Sequence, residues 1–184
     1  MKIKHGLTLL FIAALSIAAV WLWRTETIRP APAAAFKTID NEDISLGALK
    51  GKPVIVTFWA TDCPGCIEEI PHLIELYRQY HRRGLEIIAV SMYYDPPSHV
   101  VNMRTAKQLP YDVVLDLRAE HSQAFGNVML TPTTFLISPE GNIVMQKIGV
   151  FDLQDMKARI EALLNLAKPA PTTSTAANGG HPET

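Results

Sequence analysis

The chain has 184 residues, room for one ordinary domain with extensions. Hydrophobic residues at 48% and charged residues at 19% exclude a disordered chain and a polytopic membrane protein, and a formal charge of -1 removes the main electrostatic reason to expect nucleic-acid binding. Two cysteines are too few for a disulfide-stapled scaffold.

Residues 1–5 are a short basic start, and residues 6–23 carry no charge over 18 positions. As a helix that run spans roughly 27 Å, close to the hydrocarbon thickness of a bilayer. Trp21 and Trp23 close it where rings sit at headgroup level, and Lys2 and Lys4 hold the N-terminus on the cytoplasmic side. Residues 1–23 are therefore expected to form an N-terminal transmembrane helix. A cleaved signal sequence is the alternative, with small residues at 16–18 and 33–35 that are both poorly placed for cleavage. Either reading sends the rest of the chain across the membrane. Residues 24–35, polar and then Pro/Ala-rich, read as a tether. Residues 168–184 hold almost no large apolar side chain and read as a disordered tail. Between them, residues 36–167 are long enough to bury a core.

Within this core, residues 36–39 and 43–46 predict two short strands around a polar turn. Residues 54–59 (VIVTFW) predict a strand buried on both faces. A helix is expected from about Pro64 to Arg83, with Gly84 as its stop, and a second buried strand over 85–91. Asp95-Pro96-Pro97 reads as an N-cap acid followed by first-turn prolines, opening a helix that runs to about Leu109. A short strand (113–115), a short helix (121–125), a hairpin (133–137 with 143–147) and a final amphipathic helix (152–166) complete an α/β arrangement with one mixed sheet.

The chemistry lies between the first buried strand and its helix. The two cysteines are spaced Cys63-Pro64-Gly65-Cys66. A helix N-terminus offers unpaired amide N–H groups and a positive dipole end, which stabilise a thiolate on Cys63 and make it a usable nucleophile. Cys66, one turn further in, is placed to attack a mixed disulfide on Cys63. Pro64 supplies a fixed φ where its missing N–H costs nothing, and Gly65 slightly weakens the first turn. Three other uses of the pair compete. A zinc knuckle needs two more ligands, and the six histidines form no matching pair. A purely structural disulfide would close a very short loop and constrain little. Inert buried thiols fit poorly with a strand-to-helix junction. Around the helix, Ile67, Ile70, Leu73, Ile74 and Tyr77 form an apolar stripe, with Cys66 inside its edge, Glu69 at its border and Glu68 nearly opposite. A carboxyl three residues beyond Cys66 could shuttle its proton, and periodicity alone equally allows a solvated surface glutamate.

Phe58-Trp59-Ala60-Thr61-x-Cys63-Pro64-x-Cys66-x-x-Glu69-x-Pro71 resembles the TlpA/ResA-like, membrane-anchored thiol–disulfide oxidoreductases of the thioredoxin superfamily. Leu49-Lys50-Gly51-Lys52-Pro53, Thr131-Pro132-Thr133-Thr134-Phe135-Leu136-Ile137 and the Gly141 hairpin extend the resemblance over roughly residues 36–166. It implies a thioredoxin-like fold, a central mixed sheet flanked by helices behind an N-terminal transmembrane helix. It places a catalytic domain on the periplasmic side of a bacterial inner membrane. It also implies disulfide exchange with partner proteins, usually reductive, often in cytochrome c or copper-site assembly, with a membrane electron donor and without a cofactor or metal.

Carried onto this chain, the resemblance makes Cys63 the attacking thiol, Cys66 the resolving thiol and partner in a Cys63–Cys66 disulfide, and Glu69 an active-site acid. Pro132 becomes a cis-proline facing the pair, preceded by Thr131. Pro71 falls inside the helix and should bend it. Trp59 is expected to pack under the loop. Asp62 stands where the family typically has Trp, and its charge disfavours a thiolate on Cys63. Pro64-Gly65 reverses the thioredoxin Gly-Pro. Thr57 occupies the position where cytoplasmic thioredoxins keep a buried Asp, so the proton role falls to Glu69 or water. Tyr93-Tyr94-Asp95 reads as a loop that could border a substrate groove. His72, His99 and His121 read as surface residues.

Two other functions are weighed. A thiol peroxidase would use Cys63 to attack peroxide and Cys66 to resolve the sulfenic acid, but Ala60 stands where peroxiredoxins place Thr or Ser. A copper-delivery module would use the two thiolates, with Met129 or Met145 folding close.

Overall fold

The computed structural model describes residues 29–167, so the expected anchor (1–23) and tail (168–184) lie outside it. Among the described residues, no helix is long and apolar enough to cross a membrane. In chain order the elements are β1 (Arg29–Pro30), β2 (Ala35–Lys37), β3 (Asp43–Ser45), β4 (Val54–Trp59), α1 (Pro64–Tyr80) and a 3-10 turn (His81–Arg83). There follow β5 (Glu86–Ser91), α2 (Pro97–Lys107), β6 (Asp112–Leu115), α3 (Glu120–Ala124), β7 (Thr133–Ile137), β8 (Asn142–Ile148) and α4 (Leu153–Ala167).

The main sheet has the order β1-β8-β7-β4-β5-β6. β4, β5 and β6 are parallel, while β7, β8 and β1 run antiparallel to their neighbours. All six residues of β4 are buried because both faces of the sheet are covered. Ile55 and Trp59 point into one core with Ile70, Leu73 and Leu76 of α1, Val100 of α2, and Met156 and Ile160 of α4. Val54, Val56 and Phe58 alternate into the other, with Phe36, Phe125 and Phe135. The β2–β3 hairpin meets β6 through a bridge between Thr38 and Val114, which covers part of that sheet edge.

Two differences from the sequence expectations matter. The segment read as a tether over 24–35 is partly sheet. Arg29 and Pro30 pair with Ile143 and Asn142 of β8, Ala31 N–H donates to Gly141 O at 2.9 Å, and Ala34 is buried. An extended, proline-containing segment is suited to an edge strand, where a missing N–H is tolerated. Secondly, Asp95 does not cap the α2 helix. The N-cap residue is Pro96, with no side-chain cap, because the Asp95 carboxylate is engaged elsewhere. α1 runs unbroken through Pro71 to Tyr80, and the 3-10 turn that follows it ends at Gly84, whose φ of 114° is one that glycine adopts freely.

Candidate active site

β4 ends at Trp59, which is buried in the same core as Cys66. The chain then turns, with Cys63 N–H donating to Ala60 O at 3.3 Å, and enters α1. Cys63 is the N-cap residue in extended conformation (φ -92°, ψ 110°), and Pro64 opens the helix. The Cys66 N–H donates to Cys63 Sγ at 3.2 Å, so a sulfur takes the place of the usual capping oxygen. Cys63 and Cys66 are joined as a disulfide with Cα atoms 5.2 Å apart. Their exposure differs: Cys63 is half-buried and Cys66 only 2% exposed. Only the outer sulfur can meet a partner.

The Thr131–Pro132 bond is cis and Pro132 is buried. A Cβ at Gly65 would lie 3.3 Å from Pro132 Cδ and 3.4 Å from Val150 Cγ2. The first turn of α1 thus packs so closely on the Pro132 loop that glycine suits the second position between the cysteines. Thr131 is half-buried beside it, and Asp62 and Pro64 are exposed. Substituting Asp62 by Trp should lower the Cys63 thiol pKa, because a nearby negative charge that disfavours the thiolate is removed. Thiolate absorbance against pH measures this, and an unchanged or higher value in the variant would show that Asp62 does not act on the sulfur.

Glu69 lies deeper than its helical position predicted. The buried face of α1 is Cys66, Glu69, Ile70, Leu73, Leu76 and Tyr80, with Ile67, Ile74 and Tyr77 only partly buried. Glu69, 1% exposed, is therefore within the apolar face rather than on its border. Phe151 N–H donates to Oε1 at 3.3 Å, and the Thr57 and Thr134 hydroxyls lie 3.4 and 3.3 Å from Oε2 and 2.8 Å from each other. Three oxygens in a triangle need three protons for every edge to be bonded. The two hydroxyls supply two, and the third is available only when Glu69 is protonated. Burial outweighs these hydrogen bonds and pushes the Glu69 pKa from 4.5 up to about 7. A carboxyl poised there, one turn from Cys66 on the same face, can give or take a proton at neutral pH.

Sequence reasoning set Asp95 in a loop that could border a substrate groove and missed its hold on the cysteine loop. It is 4% exposed and grips the loop before the cysteines: Thr61 N–H donates to Oδ2 at 2.7 Å and Thr61 O–H to Oδ1 at 2.6 Å. Asp-Pro-Pro at a predicted helix start favoured the local capping role over this distant partner. His99 is exposed, while His72 and His121 are half-buried against the rings of Phe151 and Phe36. Among the described residues, no group of three or more His, Cys, Asp or Glu could hold a metal. Among the described residues, six of the nine exposed large apolar ones (Tyr93, Tyr94, Leu117, Met129, Leu130 and Ile148) lie at the sheet end that carries Cys63. They follow the C-terminal ends of β5 and β6, precede Pro132, or end β8 opposite Thr133.

The Redoxin family model matches residues 28–164. The chain is 32% identical over 177 residues to the thiol-disulfide oxidoreductase ResA of Bacillus subtilis, covering 93% of this chain and 95% of that protein. Among solved structures it is similar to a thiol:disulfide interchange protein of the thioredoxin family from Chlorobium tepidum. That match has a TM-score of 0.68 and 28% identity, over 74% of this chain and 97% of the other. It is also similar to StoA from Bacillus subtilis, with a TM-score of 0.61 and 29% identity, over 70% of this chain and 98% of the other. The mixed sheet between helices is thus a thioredoxin-like fold.

Proposed function

We propose, because this chain belongs to the Redoxin family and is a thiol–disulfide oxidoreductase, that it reduces disulfides of partner proteins on the outer side of a bacterial cytoplasmic membrane, in the assembly of c-type cytochromes or copper sites. The observation that carries this reading is the asymmetry of the pair. Cys63 is open at a helix N-terminus amid exposed apolar side chains, and Cys66 is buried on the face that holds Glu69. Exposed apolar surface around a nucleophile suits a polypeptide substrate better than a small hydrophilic one. The uncharged run over 6–23, preceded by Lys2 and Lys4, supports anchoring with the domain outside.

In the reductive direction the Cys63 thiolate attacks one sulfur of the partner disulfide. One S–S bond forms, one breaks, and the partner's other sulfur leaves as a thiolate. Cys66 then loses its proton to Glu69 and attacks Cys63 Sγ, which closes the Cys63–Cys66 disulfide and releases the second partner thiolate. The partner gains two electrons and the enzyme loses two. A dithiol of a membrane electron donor, oxidised in turn, restores the pair.

A Cys66→Ala variant tests the proposal. Without the resolving thiol, mixed disulfides through Cys63 should accumulate, and mass spectrometry of the trapped species should identify exported cytochrome or copper-site proteins. Trapping of cytoplasmic proteins alone would overturn both the location and the partner class.

A further inference from the structure

From the two loops that meet beside Cys63, we infer that Asp95 is a positioning residue that holds the nucleophile in register with an aromatic docking rim, so that it serves protein disulfides far more than small ones. The inference rests on the reading that partner proteins are the substrates. β5 leaves the sheet at Ser91, and Asp95 N–H donates to Met92 O at 3.0 Å, which closes a tight turn. Tyr93 and Tyr94 occupy its two corners, 56% and 48% exposed, with their rings in edge contact at 5.3 Å. The turn's last residue points the other way, into the protein.

The Asp95 carboxylate takes both donors of Thr61, one on each oxygen. Among the described residues it has no ion pair, so these bonds are its side-chain satisfaction. Charge-assisted bonds to a carboxylate are roughly twice as strong as neutral ones, and Thr61 stands two residues before Cys63. At the base of the same junction Met92 N–H donates to Trp59 O at 2.9 Å. The nucleophile loop and the tyrosine turn are therefore joined at two levels, and the upper joint is Asp95. A polypeptide flanking a substrate disulfide that lies on Tyr93 and Tyr94 reaches a sulfur whose place relative to those rings is set. A small disulfide needs only the open sulfur.

The test compares insulin reduction, with dithiothreitol as reductant, and attack on dithionitrobenzoate by the pre-reduced full-length protein in detergent. Both are measured at a pH where Cys63 is fully thiolate, which removes the effect of the lost charge. Asp95→Asn is expected to lose about tenfold on insulin and at most about twofold on the small disulfide. Thr61→Val, which keeps the charge and removes one donor, should fall in the same direction, and Thr61→Ser should recover the rate. In a Tyr93→Ala/Tyr94→Ala background, Asp95→Asn should cost no more than about twofold further on insulin, the non-additivity expected of residues that act as one unit. Equal losses on both substrates, or a full tenfold further loss without the tyrosines, would overturn the inference. Should Asp95→Asn fail to fold, the two Thr61 variants decide alone. A wild-type protein inert to insulin but active on dithionitrobenzoate would instead sink the reading that proteins are the substrates.

Discussion

Glu69→Gln is expected to slow the second half of the exchange about a hundredfold while leaving attack by Cys63 within about threefold. The two half-reactions separate because the two sulfurs lie in different surroundings. Cys63 is half-buried at a helix N-terminus and ionises against amide dipoles and water. Cys66 is enclosed by apolar side chains, where burial disfavours its thiolate. To attack Cys63 it must give up a proton, and the carboxyl on its own buried face is Glu69. Removing a positioned acid–base group costs typically 10²- to 10⁴-fold, and the lower end is expected here because the cysteine loop is partly open to water, which can take the proton in place of the carboxyl. Dithionitrobenzoate resolves the two events. The first nitrothiobenzoate released reports attack by Cys63, and the second reports resolution by Cys66. In the wild type the second phase should accelerate through pH about 7 as Glu69 loses its proton, and glutamine should abolish that rise. Two phases slowed alike, or a rise that survives the substitution, would remove Glu69 from the proton path.

How far this was legible in the sequence depended on whether each signal was local. β4 shows as a continuous β-branched and aromatic run, and Cys63-Pro64-Gly65-Cys66 behind it marks the junction because strand, proline and helix are adjacent in the chain. The depth of Glu69 was not legible. Apolar residues cover more than half of the α1 circumference, so the wheel admits several buried stripes. The choice is made by Thr134 and Phe151, 65 and 82 positions away. The same holds for Asp95, whose local capping role lost to Thr61, 34 residues earlier. The place of Gly65 is explained only once Pro132 is seen against it, and the β1 strand only once its partner Asn142 is known. Residues whose role is set by one long-range contact leave no periodic trace.

The buried carboxyl has a second, thermodynamic consequence. The oxidised protein should lose about 3 kcal/mol of stability to Glu69 between pH 4 and pH 8. In the unfolded chain Glu69 ionises near 4.5, and in the folded chain at about 7. Below the lower value it is protonated in both states and contributes nothing. Between the two values the folded state holds a proton that the unfolded state has released, so stability falls as pH rises. Above pH 7 both are ionised and the penalty stays constant at roughly 2.5 pKa units of 1.36 kcal/mol each. The cause is that Thr57, Thr134 and Phe151 N–H together do not replace the water lost by a carboxylate that is 1% exposed. Glutamine carries no charge to desolvate; its oxygen can accept from Phe151 N–H while its amide N–H groups face the hydroxyl oxygens of Thr57 and Thr134. Urea unfolding of the oxidised wild type and Glu69→Gln should therefore give similar free energies at pH 4. From pH 4 to pH 8 the variant should gain about 3 kcal/mol on the wild type, and any difference in its hydrogen bonding to Thr57 and Thr134 shifts its curve equally at every pH. The pH slope of the difference, rather than its absolute value, carries the test. Two curves that stay parallel from pH 4 to pH 8 would mean that Glu69 is ionised in the fold at an ordinary pKa and holds no proton to exchange with Cys66.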